Sequence, residues 1–210
     1  MLSEDERNAG IHTTRQYYAR EARAYSQRTS TIDLRALYAP FLGMLPASGH
    51  ILDAGCGAGR DCLYFLQRGY RVTAFDASIE LASIAAEVTG LPVSCQRFQD
   101  FEDINTYDGI WACASLLHVP RVEMSDVLAR LSRSLKRGGV ICASFRYGNG
   151  ETIREERFFN DYDEVELKNL LQPFEELELV HAWQSEDLSL HRPEVKWLNA
   201  LIEKTRHPVG

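Results

Sequence analysis

The sequence holds no closely spaced pair of cysteines and no long apolar run. Its five cysteines (Cys56, Cys62, Cys95, Cys113 and Cys142) are scattered, and none stands in a CxxC arrangement. Zinc sites and thioredoxin-like redox sites need such pairs, and an iron–sulfur cluster needs a cysteine cluster that is also missing. A membrane span needs about 20 apolar residues. We therefore expect no metal site and no membrane segment.

Positive charge is also in short supply. The 23 Lys and Arg residues face 30 Asp and Glu residues, which gives a formal net charge of -7. Binding to nucleic acid depends on Lys and Arg contacts to phosphate, so this balance argues against a nucleic-acid partner. The N-terminal stretch MLSEDERNAG lacks the apolar core of a signal peptide. A reduced, cytoplasmic setting is expected.

What the sequence does contain is a regular alternation of predicted strands and helices. Two helices are expected first, in residues 13–29 and 31–45, with Pro46 ending the second. The strands expected next are 50–54, 70–76, 92–98, 107–115 and 139–146, and the helices between and after them are 60–69, 78–90, 121–139 and 161–173. This alternation predicts a parallel sheet with right-handed crossovers.

The C-terminal part departs from that alternation. The apolar runs 174–187 and 196–206 follow each other with no clear helix between them. We therefore expect them to pair as an antiparallel hairpin, although the last run is also compatible with a terminal helix.

The stretch DAGCGAG, residues 53–59, joins the first strand to the next helix and carries alternating glycines. Glycine lets such a turn adopt positive φ and lets a ligand approach the backbone, so a ligand-binding turn is expected. The dinucleotide fingerprint GxGxxG has a third glycine where this sequence has Arg60. In addition, Asp53 would repel a pyrophosphate but suit an ammonium or sulfonium group. S-adenosylmethionine carries both of those groups and no phosphate.

Asp76 ends the second predicted strand. An acid at that place accepts hydrogen bonds from ribose hydroxyls in nucleotide-binding folds. It would serve NAD equally well, so it does not separate the two cofactors.

Together these features resemble the class I S-adenosylmethionine-dependent methyltransferases, of the small single-domain, tellurite-resistance-like type. The resemblance is carried by ILDAGCGAGRD, VTAFDAS, FQDF, YDGIWACASLLHVP and LARLSRSLKRGGVICASF. It implies an α/β, Rossmann-like, seven-stranded sheet with one antiparallel C-terminal strand. It also implies a helical lid in residues 1–46 on a single domain formed by residues 47–210, with S-adenosylmethionine as cofactor and S-adenosylhomocysteine as product.

The resemblance also assigns residues to the cofactor. It implies that the methionine end of the cofactor contacts Asp53, Gly55 and Gly57 and that Asp76 holds the ribose. The adenine would contact Ala77, Phe98, Gln99, Asp100 and Phe101. The sulfonium would lie near Ala114 and Ser115, and the lid would contribute Tyr17, Tyr25 and Arg28.

Methyl transfer from a sulfonium needs mainly alignment of the reacting atoms. His118, which follows the fourth strand, is the candidate general base if the acceptor must lose a proton. Arg146 and Tyr147 are candidates for holding an acidic or aromatic substrate, and residues 146–164 are expected to form part of the substrate wall. The expected partner is a small-molecule methyl acceptor. The protein itself is expected to be a monomer or a homodimer.

Two other functions stay open at this point. One is an NAD-dependent oxidoreductase, which the glycine turn and Asp76 also allow. The other is a non-catalytic S-adenosylmethionine-binding subunit that activates a partner.

Overall fold

The computed structural model of the protein describes residues 2–188 and 194–205. Its helices are α1 (Glu4–Thr29), α2 (Arg35–Leu42), α3 (Arg60–Leu66), α4 (Ile79–Thr89), α5 (Arg121–Ser134) and α6 (Glu164–Leu171). Its strands are β1 (His50–Ala54), β2 (Arg71–Asp76), β3 (Val93–Cys95), β4 (Tyr107–Ala112), β5 (Leu135–Arg146), β6 (Gly150–Arg154), β7 (Arg157–Asp161), β8 (Leu177–Glu186) and β9 (Lys196–Lys204).

Seven of these strands form one sheet in the order β3-β2-β1-β4-β5-β9-β8. The pairs between β3 and β5 are all parallel, whereas β9 runs antiparallel to both of its neighbours. The predicted parallel sheet and C-terminal hairpin are therefore confirmed, and the last apolar run is a strand. Because β1, β2, β4 and β5 are parallel, their carboxyl ends meet at one edge, and the loops after them share that edge.

The apolar core lies on both faces of the sheet. Alternate residues of a strand point to opposite faces, so Ile110 packs with the buried face of α5 while Trp111 packs with Phe41 of α2 and Phe65 of α3. Both faces of the central strands are thus covered, which explains the nearly continuous apolar sequence of β4 and β5.

Helix α1 begins earlier than the pattern predicts. Ser3 and Glu6 form a reciprocal capping box, in which the Ser3 side chain accepts the N–H of Glu6 and the Glu6 side chain accepts the N–H of Ser3. This cap starts the helix in a stretch with few apolar residues, which is why apolar periodicity alone does not show it.

A two-stranded hairpin, β6–β7, lies within the segment predicted only as a long connection. It packs against α1: the Thr14 hydroxyl accepts the N–H of Phe158 at 2.7 Å, and Arg7 pairs with Glu151 at 2.9 Å. Helix α1 and this hairpin together cover the carboxyl edge of the sheet, and we call them the roof.

Three predicted boundaries change for local reasons. The helix predicted to reach residue 139 ends at Ser134. At that end the N–H groups of Asn105 and Thr106 donate hydrogen bonds to the carbonyl oxygens of Arg133 and Ser134. The third strand stops at Cys95, since residues 98–100 form a short 3-10 turn. Helix α2 is confined to residues 35–42.

In the two described ranges, no helix has the length and apolar character that crossing a bilayer requires.

Candidate functional site

The glycine turn between β1 and α3 lies at the carboxyl edge of the sheet. Gly55, Gly57 and Gly59 have φ angles of 78°, 55° and 83°, a region that residues with a Cβ rarely adopt. A Cβ on Gly55 would stand 2.5 Å from the Cβ of Ser115, which follows β4. The turn therefore needs glycine both for its conformation and for the close approach of the neighbouring chain.

Asp76 ends β2 beside this turn. Its Oδ2 accepts the backbone N–H of Gly57 at 2.8 Å, and its Oδ1 accepts that of Ser78 at 2.8 Å. Burial raises the pKa of Asp76, while these two N–H donors act to lower it. Each oxygen keeps a further lone pair, so the carboxylate can accept hydrogen bonds from two adjacent hydroxyls of a ligand.

A cavity of about 160 Å³, which we call the inner chamber, lies in front of the turn and Asp76. The predicted site residues that line it are Tyr25, Gly55, Gly57, Asp76, Ala77, Phe98, Gln99, Ala114, Ser115 and His118. The predicted residues that do not line it are Tyr17, Arg28, Asp53, Asp100 and Phe101. The cofactor contacts assigned to both groups stay predictions.

Asp53 lies beneath the glycine turn rather than in the chamber wall. It is 2% exposed, and its Oδ2 accepts the thiol hydrogen of Cys62 at 3.0 Å. Burial and the neighbouring charge of Asp61 raise the pKa of Asp53. The side chain of Asp53 is therefore hydrogen-bonded to α3 and does not line the chamber. Asp100, for its part, pairs with Arg97 on the surface.

Arg60 stands where a dinucleotide fold has its third glycine. Its guanidinium donates to both oxygens of Asp61, at 2.6 and 2.9 Å, and to the carbonyl of Thr29 at 3.3 Å. Asp61 also accepts from Tyr38 and Trp111. Although burial opposes it, Arg60 and these donors hold the pKa of Asp61 below its ordinary value. Arg60 thus fastens the last turn of α1 to the start of α3.

A second cavity of about 630 Å³, which we call the outer chamber, adjoins the first. Its walls come from α1, α2, the roof hairpin and the ends of β5, β8 and β9, and include Tyr17, Arg28, Ser144, Arg146, Arg157, Phe159, Trp197 and Asn199. The residues common to the linings of both chambers are Tyr18, Tyr25, Thr29, Arg60, Cys113, Ala114 and His118. We call this shared region the junction.

His118 lies at the junction in a defined tautomer. Its Nδ1 is 2.7 Å from the carbonyl oxygen of Phe158, which can only accept, so Nδ1 carries the hydrogen. Its Nε2 therefore accepts the hydroxyl hydrogen of Tyr18 at 2.9 Å. Burial lowers the pKa of His118 to about 4. The imidazole is neutral at pH 7, and its basic nitrogen is already hydrogen-bonded.

Ala114 holds a strained conformation at the same place. Its φ is 53°, unusual for a residue with a Cβ, and its N–H donates to the Ser144 hydroxyl at 2.8 Å. Such strain persists where the surroundings enforce it, and it concentrates at functional sites. Burial also raises the pKa of the neighbouring Cys113 to about 12, which keeps that thiol protonated and unreactive.

Several lining residues escape the sequence analysis. Tyr18 carries a detectable signal, since it stands seven residues from Tyr25 and so shares its helix face, whereas Tyr17 is rotated by about 100°. Arg157 and Asn199 carry none, because the former lies in an unrecognised hairpin and the latter in an apolar strand.

The comparisons with known proteins agree with this geometry. Residues 51–139 match the family model described as a methyltransferase domain. The S-adenosyl-L-methionine-dependent Diels-Alderase iccD of Talaromyces variabilis is 36% identical over 105 residues, which cover 45% of this chain and 35% of that protein. The ubiquinone biosynthesis O-methyltransferase of Xanthomonas oryzae pv. oryzae is 32% identical over 106 residues, covering 47% and 43% of the two chains.

A crystal structure of Burkholderia thailandensis 1,6-didemethyltoxoflavin-N1-methyltransferase, with bound 1,6-didemethyltoxoflavin and S-adenosylhomocysteine, has the same fold. Its TM-score is 0.76 at 22% identity, over 98% of this chain and 92% of that one. The sequence matches to the Diels-Alderase and the ubiquinone enzyme span less than two thirds of either relative. The matched segment 51–139 is less than half of the chain. Over that segment the sequence is similar to a methyltransferase domain, and the chain shares the fold of the Burkholderia methyltransferase.

Proposed function

We propose that this protein is an S-adenosylmethionine-dependent methyltransferase that transfers the methyl group to a small-molecule acceptor by in-line displacement. One observation carries the proposal: the inner and outer chambers meet at a junction that includes Ala114 and His118. An in-line displacement needs nucleophile, methyl carbon and sulfur along one line, and holding them there is worth about 7–11 kcal/mol. Two adjoining chambers support such an arrangement, since one would hold the cofactor and the other the acceptor.

The inner chamber fits the cofactor by its shape and its donors. The bare backbone at Gly55 and Gly57 leaves room for the methionine end, and the lone pairs of Asp76 suit the two ribose hydroxyls. The apolar Phe98 and Ala77 border the place expected for the adenine. The bound cofactor would supply a methyl group that is already activated on a sulfonium.

The side chains at the junction would then act mainly by orientation. Tyr18 and Tyr25 border the junction, and their rings contact each other edge to face at 5.3 Å. The π faces of such rings stabilise a nearby cation. We propose that they flank the sulfonium and exclude water from it.

His118 is the proposed proton acceptor where the attacking group is an N–H or O–H. The proton would go to Nε2, which must first release the Tyr18 hydroxyl. Because burial lowers the pKa of His118 to about 4, the imidazolium would then release the proton to water and return to its neutral form. An acceptor that is already anionic would not need this step.

The relatives support this proposal without fixing the acceptor. The Xanthomonas relative is named for an O-methyltransferase, and the Burkholderia structure holds a small heterocycle beside S-adenosylhomocysteine. The Talaromyces relative is named for a different reaction. Cofactor binding and methyl transfer therefore need separate tests.

An NAD-dependent oxidoreductase fits less well. The dinucleotide fold has a sixth parallel strand next to the fifth, whereas here the antiparallel β9 occupies that position. The place of the third glycine is held by Arg60, which is engaged with Asp61.

The first experiment is calorimetric titration of the purified protein with S-adenosylhomocysteine and, separately, with NAD. We expect binding of the first in the micromolar range and none of the second. Asp76→Ala should weaken S-adenosylhomocysteine binding by about 1.5–3 kcal/mol, the scale of hydrogen bonds to a charged group. Glu87→Ala, which removes an exposed carboxylate of α4 outside both chambers, is the matched control and should bind normally. Binding of NAD, or an Asp76→Ala variant with wild-type affinity, would refute the cofactor assignment.

The second experiment measures formation of S-adenosylhomocysteine from S-adenosylmethionine across a panel of small-molecule acceptors. Turnover with one of them supports the methyl transfer. Tight cofactor binding with no turnover on any acceptor would favour the non-catalytic alternative. The pH profile of His118→Gln then tests the base, since an unchanged profile would leave His118 with a purely structural part.

A further inference from the structure

We propose that the outer chamber recognises a planar aromatic acceptor with an anionic oxygen and an N–H or O–H group, through Arg157 and Asn199 respectively. The inference rests on the proposed function, because it takes the occupant of the outer chamber to be the methyl acceptor. It goes further in naming the class of that acceptor and the residues that select it.

Asn199 carries a buried amide oxygen, Oδ1, that can accept a hydrogen bond from a ligand. It lines the outer chamber and is 1% exposed. Its Nδ2 points to the Trp183 carbonyl oxygen at 3.4 Å and the Ser185 hydroxyl at 2.9 Å. Since a carbonyl can only accept, the amide orientation is fixed, and Oδ1 faces away from them. Within residues 2–188 and 194–205, Oδ1 has no hydrogen-bond partner.

Such a group is costly in a folded protein. An unsatisfied buried polar atom costs about 1–3 kcal/mol, and such atoms are rare enough in native structures to need an explanation. A ligand N–H or O–H in the outer chamber would satisfy Oδ1 and so explain it.

Arg157 supplies the complementary donor. Its side chain is 11% exposed and lines the same chamber. One terminal nitrogen pairs with Glu155 at 2.8 Å, while Nε is buried and lacks a partner in the described part of the chain. The Glu155 side chain is 57% exposed, and ion pairs with so exposed a partner are weak. The positive charge of Arg157 is thus only partly neutralised, and an anion inside the chamber can meet the remainder.

Aromatic side chains give the chamber its flat walls. Phe159 and Trp197 line it, as does Tyr17. Its volume of about 630 Å³ lies within the range usual for small-molecule sites. A planar ring system can stack on these walls, whereas a bulky aliphatic group cannot use them as well.

The same rings argue against a cationic acceptor. The guanidinium of Arg157 already lies over the ring of Tyr17 at 4.5 Å, and that of Arg146 lies over Phe159 at 4.5 Å. A ligand cation stacked on these rings would meet two positive charges. The lining also holds the carboxylates of Glu155, Glu186 and Asp187, and Glu155 is paired with Arg157. An anionic ligand is therefore favoured at the end of the chamber where Arg146 and Arg157 lie over the rings of Phe159 and Tyr17.

The test uses the wild-type protein saturated with S-adenosylhomocysteine and four probes. The first probe, 4-hydroxyquinoline-2-carboxylate, has all the proposed features. Each of the other three lacks one: quinoline-2-carboxylate lacks the donor groups, 4-hydroxyquinoline lacks the carboxylate, and 4-hydroxycyclohexanecarboxylate is not planar. We expect the first to bind about tenfold tighter than the probe without carboxylate, the scale of a hydrogen bond to a charged group. It should also bind several-fold tighter than the other two.

Two variants then assign the preferences to residues. Arg157→Gln should abolish the preference for the carboxylate and keep the preference for the donor group. Asn199→Leu should do the reverse. Arg23→Gln, at an exposed position of α1 outside both chambers, is the matched control and should keep both preferences. Unchanged binding of S-adenosylhomocysteine shows that each variant is folded.

The outcomes separate the two proposals. Equal affinities for the four wild-type titrations, or no binding of any probe while S-adenosylhomocysteine binds, would overturn the inference and leave the cofactor assignment standing. Preferences that survive in both variants would overturn the roles of Arg157 and Asn199. Failure to bind S-adenosylhomocysteine would overturn the proposed function and this inference with it.

Discussion

The inner and outer chambers share one edge of the sheet but are built from different materials. The floor of the inner chamber is backbone: a glycine turn whose N–H groups and one carboxylate, that of Asp76, come from two strand ends. The outer chamber is made of side chains from α1, α2, the roof hairpin, β5, β8 and β9. The first depends on a few consecutive residues, and the second depends on how distant segments pack.

The difference has a functional meaning. A binding surface made of backbone tolerates change in most side chains, because its geometry is fixed by φ angles and close approach. A surface made of side chains can be altered one residue at a time without moving the sheet. The inner chamber is therefore suited to a constant ligand, and the outer chamber to an acceptor that sets specificity.

The largest effect should come from placing a Cβ in the floor of the inner chamber. Gly55→Ala would bring a Cβ to within 2.5 Å of the Ser115 Cβ, and relieving that overlap must shift either the turn or the end of β4. We expect the affinity for S-adenosylhomocysteine to fall more than about 100-fold, since overpacking of this kind costs about 1–3 kcal/mol and the φ strain adds about 1–2 kcal/mol.

The matched control is Gly69→Ala. Gly69 also has a positive φ, of 81°, but no atom lies within 4 Å of an added Cβ. This variant carries the same φ strain without the clash, so it should bind S-adenosylhomocysteine as the wild type does. Equal affinities for the two variants would break the distinction between a backbone floor and a side-chain wall.

The next effect concerns the free energy of unfolding and comes from His118, one of the junction residues that line both chambers. His118 has a pKa of about 4 in the folded protein, against about 6.5 in an unfolded chain. Between these values the unfolded chain binds the proton and the folded protein does not, so stability rises with pH across the window and falls on acidification from pH 6.5 to 4. The contribution is about 3 kcal/mol in total.

Urea unfolding of the wild type and His118→Gln at several pH values measures this contribution. The difference between their unfolding free energies should shrink as the pH drops from 7 to 4. Parallel curves for the wild type and His118→Gln would mean that His118 titrates alike in the folded and unfolded chains.

The sequence predicts the inner chamber well because its information is local. Gly55, Gly57 and Asp76 stand at the junctions of regular elements, and the parallel sheet brings the ends of β1, β2 and β4 together. Ala114 and Ser115 are expected only from the family resemblance, and the structure places both in the lining of the inner chamber. Strand periodicity does not say which carboxylate lines the chamber: Asp76 does, whereas Asp53 is hydrogen-bonded to Cys62, and its contact with the cofactor stays a prediction.

Most of the residues that line the outer chamber cannot be predicted from local sequence signals. Arg157 and Phe159 lie in a hairpin rich in charged residues, whose sequence shows little alternation of apolar and polar residues. Asn199 interrupts an apolar strand, and only the pairing of β9 with β5 places it opposite Ser144. Arg146 is predictable because it ends the fifth strand, which is again a local signal.

A smaller effect separates Asp76, which lines the inner chamber, from Asp53, which does not. Asp76→Asn keeps the shape of the side chain but loses its charge, and it should weaken S-adenosylhomocysteine binding about 10-fold or more. Asp53→Asn keeps an acceptor for the Cys62 thiol and removes a carboxylate that burial already disfavours. Its affinity should stay within about threefold of the wild type. A large loss of affinity in Asp53→Asn would place that carboxylate among the ligand contacts, as the sequence analysis expected.

The smallest effect should come from the rim of the roof. Arg20 of α1 pairs with Glu156 of the hairpin, but their side chains are 54% and 60% exposed, and exposed ion pairs contribute little to stability. We expect Arg20→Ala, Glu156→Ala and the double variant to share the urea midpoint of the wild type and to bind the quinoline probes equally well. The roof would then be held by its buried contacts, such as that between Thr14 and Phe158. A clear loss of probe binding in all three variants would mean that the rim pair orders the outer chamber, whose geometry would then depend on surface charge as well as on packing.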